Sequence, residues 1–165
     1  MKTIYLLRHA KSDWKDEGIM DIDRPLNKRG LLNAPMMGIY YRKLNIKPQF
    51  IISSPAKRAL TTAHIIAKEL DYTEKNIKIE MDLYGANTVE LMEIIAGLEN
   101  THDKVMLVGH NPAFTLAIAY LTEKNIENLP TCGLAQINLK IKNWSDIKEN
   151  CGILSKLEFP KKLVL

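Results

Sequence analysis

Apolar residues in this chain come in short runs that end abruptly at polar, turn-forming clusters. Thr3 to Leu7 (TIYLL), Gln49 to Ser53 (QFIIS) and Lys104 to Val108 (KVMLV) are the clearest. Runs this short, carrying β-branched and aromatic residues, predict buried strands rather than helix segments. Ile77 to Glu80 predicts a weak strand. Leu134 to Ile141 alternates in part and predicts another, and Gly152 to Phe159 predicts a last one, at an antiparallel edge. Helical stretches lie between them. Asn27 is expected to cap a helix running to about Leu44, with Pro35 inside it predicting a kink or a break. Ser54 is expected to cap a second helix, with Pro55 at its first position, through Leu70. In Thr88 to Leu98 the residues Val89, Met92, Ile95 and Ala96 share one helical face. Asn111 is expected to cap a fourth helix, with Pro112 at its first position, through Leu121. Strands alternating with helices predict an α/β fold with a mainly parallel core sheet.

Arg8 to Leu26 breaks this rhythm. It is polar, contains Gly18 and Pro25, and predicts a long loop of the kind that serves as a lid or a substrate rim. Trp14 and Met20 within it either face a partner protein or tuck under the loop as a small apolar cluster. There is no internal repeat, low-complexity tract or linker, so the 165 residues are expected to form one domain, 1–165.

Hydrophobic residues make up 46% of the chain and charged residues 25%, as in ordinary globular domains. The formal net charge of +4 suits an anionic substrate, but Lys and Arg are scattered, so no nucleic-acid partner is expected. No apolar stretch approaches the roughly 20 residues that span a bilayer, so no membrane partner is expected either. The two cysteines, Cys132 and Cys151, form no CxxC or zinc spacing and fit a reducing compartment. A cytoplasmic location is expected, and the sequence leaves the oligomeric state open.

The three clearest strands each run into a chemically loaded segment: Leu7-Arg8-His9-Ala10, Ser53-Ser54-Pro55-Ala56-Lys57-Arg58, and Gly109-His110-Asn111-Pro112. The carboxyl ends of strands in an open α/β sheet are where ligands bind. Arg8, His9, Arg58 and His110 are therefore expected to meet in one crevice. Arg58 and Lys57 fall near a helix start, where cations oppose the helix dipole by roughly 0.3–1 kcal/mol each and an anion offsets that cost. Arg8 follows an apolar run and needs a partner for its charge. A phosphate suits it, because guanidinium grips two oxygens through a planar fork. A neutral imidazole can attack phosphorus, and nearby arginines favour the neutral form. The second imidazole, as a cation, can join two arginines in neutralising the transferring phosphoryl group. The set points to an enzyme that moves a phosphoryl group onto and off a histidine, with no cofactor.

No metal is expected. His64 and His102 fall elsewhere, no HExxH or carboxylate-rich cluster occurs, and arginines repel cations. Walker A, GxGxxG and GxSxG patterns are likewise missing.

The RHA triplet, the SSPxxR segment and the GHNP segment, in that order, resemble the signature of the histidine phosphatase superfamily, which includes phosphoglycerate mutases. RHAKSDW, Asp23-Arg24-Pro25-Leu26-Asn27-Lys28-Arg29-Gly30 and LYGA near Leu83, with no large insertion, make the chain similar to the compact SixA-like phosphohistidine phosphatases. The resemblance implies a three-layer α/β fold, a mainly parallel central sheet with one antiparallel strand and helices on both faces. It implies His9 as the nucleophile that becomes phosphorylated, and Arg8, Arg58 and His110 as the phosphate pocket. Larger relatives carry a glutamate proton donor after the third strand. Here that stretch reads Met81-Asp82-Leu83-Tyr84-Gly85, leaving Asp82 or Asp13 as candidate acids. A site without a strong acid favours phosphohistidine, whose P–N bond is labile, over sugar phosphates. The expected partner is a phosphorylated protein or a small phosphate ester. A mutase and a non-catalytic phosphohistidine- or phosphate-binding module are the alternatives.

Overall fold

The chain is built around β1 (Lys2–Arg8), which is apolar on both faces: Ile4 and Leu6 point to one side, Tyr5 and Leu7 to the other, and all four are buried. A strand buried on both faces needs cover on both sides of its sheet. In the computed structural model, which describes residues 1–163, that cover comes from four helices. After β1 follow α1 (Lys28–Lys43), β2 (Phe50–Ser53), α2 (Lys57–Glu69), β3 (Lys78–Ile79), α3 (Thr88–Ala96), β4 (Lys104–Gly109), α4 (Ala113–Thr122), β5 (Leu134–Leu139) and β6 (Gly152–Glu158). Ala34, Met37 and Tyr41 of α1 and Ala59, Ala63 and Ile66 of α2 pack on the Tyr5–Leu7 face. Leu91 and Ile95 of α3 and Phe114, Ala117 and Ile118 of α4 pack on the Ile4–Leu6 face. The result is a three-layer α/β fold.

The sheet order is β3-β2-β4-β1-β5-β6. β3, β2, β4 and β1 are parallel. β5 runs antiparallel to β1, and β6 antiparallel to β5. The reversed strand is therefore β5. The edge strand β6 does pair antiparallel, but it runs in the direction of β1. From β1 the chain passes to β2 on one side, and from β4 to β5 on the other, so the carboxyl ends of β1 and β4 form the switch point of the sheet. Their register pairs Arg8 with Gly109, which sets His9 beside His110.

Local details depart from the sequence expectations. α1 runs through Pro35 without a break, and Leu31, whose carbonyl goes without a helical donor there, is half-exposed. α2 begins only at Lys57: Ser54 Oγ accepts from the Ala56 amide instead of capping the helix. α4 begins at Ala113, with Pro112 one position before it. The Asn111 side chain still accepts from the Thr115 amide and hydroxyl.

The long loop is tied at its base. Ser12 bridges Leu26, the Asn27 amide donates to the Lys11 carbonyl, and Asn27 Oδ1 caps Gly30. Gly30 is required there, because a β-carbon would lie 2.2 Å from the Lys11 carbonyl oxygen. That contact draws the segment after β1 tightly onto the start of α1.

Candidate active site

Arg8, His9, Arg58 and His110 all line one cleft of about 250 Å³ at the switch point. The His9 and His110 rings lie 5.3 Å apart, centroid to centroid. Arg58 is the second residue of α2, and its side chain is buried at the sheet edge. Thr62, one turn later, donates to the Arg58 carbonyl at 2.7 Å and accepts from the Ala10 amide at 3.0 Å. One hydroxyl thus fixes α2 against the end of β1. On the far side, the Cys132 amide reaches the carbonyls of both Arg8 and His9. The Cys132 thiol is buried, and burial pushes it up to about 12.

His9 Nδ1 lies 2.7 Å from the Ala10 carbonyl oxygen. A carbonyl only accepts, so Nδ1 carries the proton and Nε2 carries the lone pair. Burial drives the His9 imidazole down to about 3; the charges of His110, Arg58 and Arg8 add smaller pushes in the same direction, and the Ala10 bond opposes them. The ring is a neutral, lone-pair-bearing imidazole at physiological pH. Burial, more than the arginines, keeps it so. His110 differs. Its Nε2 lies 2.7 Å from Ser54 Oγ, and its Nδ1 is buried with no partner among the described residues. Burial, with Arg58 second, lowers it to about 4. His110 is therefore neutral in the free site, and its cationic form requires an anion alongside.

Each arginine is anchored through terminal nitrogens. Arg8 Nη1 donates to the Leu129 carbonyl. Arg58 Nη1 and Nη2 donate to the carbonyl and the carboxylate of Asp21. Arg8 Nε and Arg58 Nε are buried donors with no partner among the described residues, which is costly unless an oxyanion meets them. Burial lowers the Arg8 guanidinium as well.

Asp21 and Arg24 complete the cleft; sequence reasoning gave Asp21 no role and placed Arg24 only in the Asp23–Gly30 motif that ends the loop. Asp21 takes hydrogen bonds from Tyr84 (2.5 Å), Arg24 (3.0 Å) and Arg58 (3.1 Å). The Tyr84 bond, with help from the two arginines, holds its carboxyl at about 2. Arg24 also reaches Ser12 Oγ and stacks 3.5 Å from the Trp14 ring, which is 70% exposed at the rim. Trp14 therefore does not tuck under the loop. The signal that was present is the Asp21-x-x-Arg24 spacing, which puts carboxylate and guanidinium on one turn. The candidate acids lie elsewhere. Asp82 lines a neighbouring cleft, and Asp13 turns its carboxylate to the Lys15 amide. Asp21, among the described residues the one carboxylate lining this cleft, is ionised. Among the described residues no group of three or more His, Cys, Asp or Glu side chains could hold a metal ion, and no helix is long and apolar enough to cross a membrane.

Two nitrogen nucleophile candidates, two guanidiniums and a lone-pair geometry of this kind are competent for phosphoryl transfer. Comparison with known proteins agrees. The family model "Histidine phosphatase superfamily (branch 1)" matches residues 4–85. An uncharacterized chloroplastic protein of Arabidopsis thaliana is 30% identical over 153 residues, which is 88% of this chain and 70% of that protein. An uncharacterized protein of Mycobacterium tuberculosis is 32% identical over 167 residues, covering 94% of this chain and all of that one. Among solved structures, SixA from Agrobacterium tumefaciens, assigned as a phosphohistidine phosphatase, superposes with a TM-score of 0.81 at 26% identity, over 96% of this chain and 98% of that one. A SixA protein histidine phosphatase solved with tungstate gives 0.82 at 18% identity, over 98% and 99%, a likeness of fold. These likenesses support phosphatase chemistry, and the chain belongs to the histidine phosphatase superfamily as a SixA-like member.

Proposed function

We propose that the protein is a metal-independent phosphatase that works through a phosphorylated His9 and acts on phosphohistidine in proteins. The observation that carries this reading is the bond from His9 Nδ1–H to the Ala10 carbonyl, which leaves Nε2 as a nucleophile in a cleft walled by Arg8, Arg58 and His110. In the first step Nε2 attacks phosphorus and the P–N bond of the substrate breaks. With its other ring nitrogen protonated, the substrate imidazole leaves as a neutral molecule and needs no acid. In the second step water attacks the phosphorus of phospho-His9, releasing phosphate and a proton and restoring the imidazole. Arg8, Arg58 and His110 neutralise the equatorial oxygens in both steps.

What the cleft holds supports this substrate class. Asp21 is anionic and cannot protonate an alkoxide, while Asp82 and Asp13 lie away from the reacting atoms. A leaving group that needs no proton suits such a site. The test compares turnover of a phosphohistidine peptide with that of serine, sugar and glycerol phosphates, with and without EDTA. The expected result is a large preference for the peptide, no effect of chelator, and an acid-labile phosphoenzyme lost in His9→Ala. Preference for an alkyl ester, or transfer of the phosphate to an acceptor hydroxyl instead of water, overturns it.

A further inference from the structure

The catalytic cleft does not end at the phosphate pocket. Beyond Arg8, Lys11 and Thr131, which line both, it opens into a groove of about 340 Å³. Arg29 and Asn33, one helical turn apart on α1, form one wall. Lys161, in the short turn Pro160–Lys162 after β6, forms the other. Among the described residues four cations line this groove and no carboxylate does. Arg29, Lys11 and Lys161 have no carboxylate partner within 4 Å among the described residues. Arg29 also sits in the first turn of α1, where a cation is opposed by the helix dipole. Placing uncompensated positive charge there is unfavourable for the chain alone and favourable with an anion present.

The opposite flank carries the opposite sign. At Tyr84, whose hydroxyl meets Asp21, the site borders a cleft of about 580 Å³ lined by Glu80, Asp82, Glu90 and Glu93, with Lys78 alone as a cation. A substrate segment leaving the phosphate pocket therefore has two exits, one cationic and one anionic. We propose that the Arg29–Lys161 groove receives acidic side chains flanking the phosphohistidine of the protein substrate, and that this charge contrast sets the direction in which the substrate chain lies. The inference rests on the substrate reading above and specifies it. The catalytic cleft takes the phosphoryl group and the imidazole. The groove, larger than that cleft, has room for the adjacent side chains and reads their charge. Charge complementarity of this kind steers and orients a partner more than it tightens it, and salt weakens it.

The test uses two phosphohistidine peptides that differ only in flanking residues, Asp and Glu in one, Asn and Gln in the other, with an aryl phosphate as the reference for each enzyme. The wild-type protein is expected to favour the acidic peptide by about tenfold in kcat/KM, mostly through KM, as a few partly exposed charge pairs allow. The preference should shrink as salt is raised. In an Arg29→Gln, Lys161→Gln variant it should fall to about one, and Arg29→Glu with Lys161→Glu should reverse it toward a lysine-flanked peptide, a result that a merely structural role does not give. Equal turnover of both peptides by the wild type overturns the inference alone, as does a preference that survives in the variants. Failure to turn over either peptide, while esters are hydrolysed, overturns the substrate reading and this inference with it. A charge preference seen only among small esters with and without a second carboxylate assigns the groove to a small bis-anion and also overturns the inference.

Discussion

His9 and His110 occupy the same station on neighbouring parallel strands, each one residue beyond the paired positions Arg8 and Gly109. They are chemically identical residues in one cleft, and the fold gives them different hydrogen-bond partners. His9 is held from behind by a backbone carbonyl, which fixes its tautomer and leaves one nitrogen to react. His110 is held by a hydroxyl, Ser54 Oγ, which can donate or accept and so leaves its tautomer free to follow the charge in the site. In the proposed reaction the carbonyl partner readies a nucleophile, and the hydroxyl partner allows a cation that responds to the bound anion. Residue type alone does not assign a role: the second hydrogen bond does.

The sharpest way to break this contrast is to remove each ring in turn. His9→Ala should lose turnover by roughly 10⁴-fold or more, as when an enzyme loses its nucleophile, and should form no phosphoenzyme by rapid-quench labelling. His110→Ala should lose about 10²–10³-fold, the scale of one transition-state donor, and should still label slowly. Equal losses with no label in either would give the two rings a single joint role. Arg8→Ala and Arg58→Ala come next at about 3–4 kcal/mol each, again on the scale of an oxyanion donor. Arg58→Ala should in addition loosen Asp21, visible as a higher carboxyl pKa in the variant.

A pH titration by NMR sharpens the comparison without mutation. Both rings should stay neutral from pH 8 down to about pH 5, because their folded values lie at about 3 and about 4. Vanadate bound in the cleft should raise His110, since an anion favours its cation. The same shifts bear on stability. An unfolded histidine titrates near 6.5, so below that pH the unfolded chain binds more protons than the folded one. The stability that depends on these neutral rings is fully present above pH 6.5 and is lost as pH falls toward 4 and then 3. His9→Asn with His110→Asn should flatten the acid limb of the melting profile.

The smallest expected effect belongs to Thr62→Val, in which the buried Ala10 amide loses its acceptor at a cost of about 1–3 kcal/mol. Its melting temperature should fall, with kcat reduced more than KM because His9 and Arg58 lose their shared spacer. Thr62→Ser should restore both, a rescue that a loss of packing alone does not predict.

The strand-end segments were legible because short apolar runs stop at Arg8, Ser54 and His110, and a parallel sheet collects such ends on one edge. Less could be read where the decisive partner is remote in sequence. Asp21 and Tyr84 lie 63 positions apart and meet by a hydroxyl–carboxylate bond that no local pattern announces. The helix starts were misplaced for a related reason. Ser54 and Asn111 carry the right side chains for caps, but Ser54 is drawn to His110, and the helices begin after Ala56 and Pro112. Function claimed a hydroxyl that propensity would have spent on capping. The reversed direction of β5 had no local signal either, because β5 and β6 alternate alike; it emerges only in the antiparallel pairing of β5 with β1.

Behind Arg8 and His9 sits Cys132, sealed from solvent and with its sulfur protonated. Enzymes that attack phosphorus with a thiolate are silenced when peroxide oxidises that sulfur. In the reaction proposed here the attacking atom is nitrogen, and the neighbouring sulfur is neither ionised nor reachable. Dephosphorylation by this protein should continue through oxidative stress that stops thiolate-dependent phosphatases.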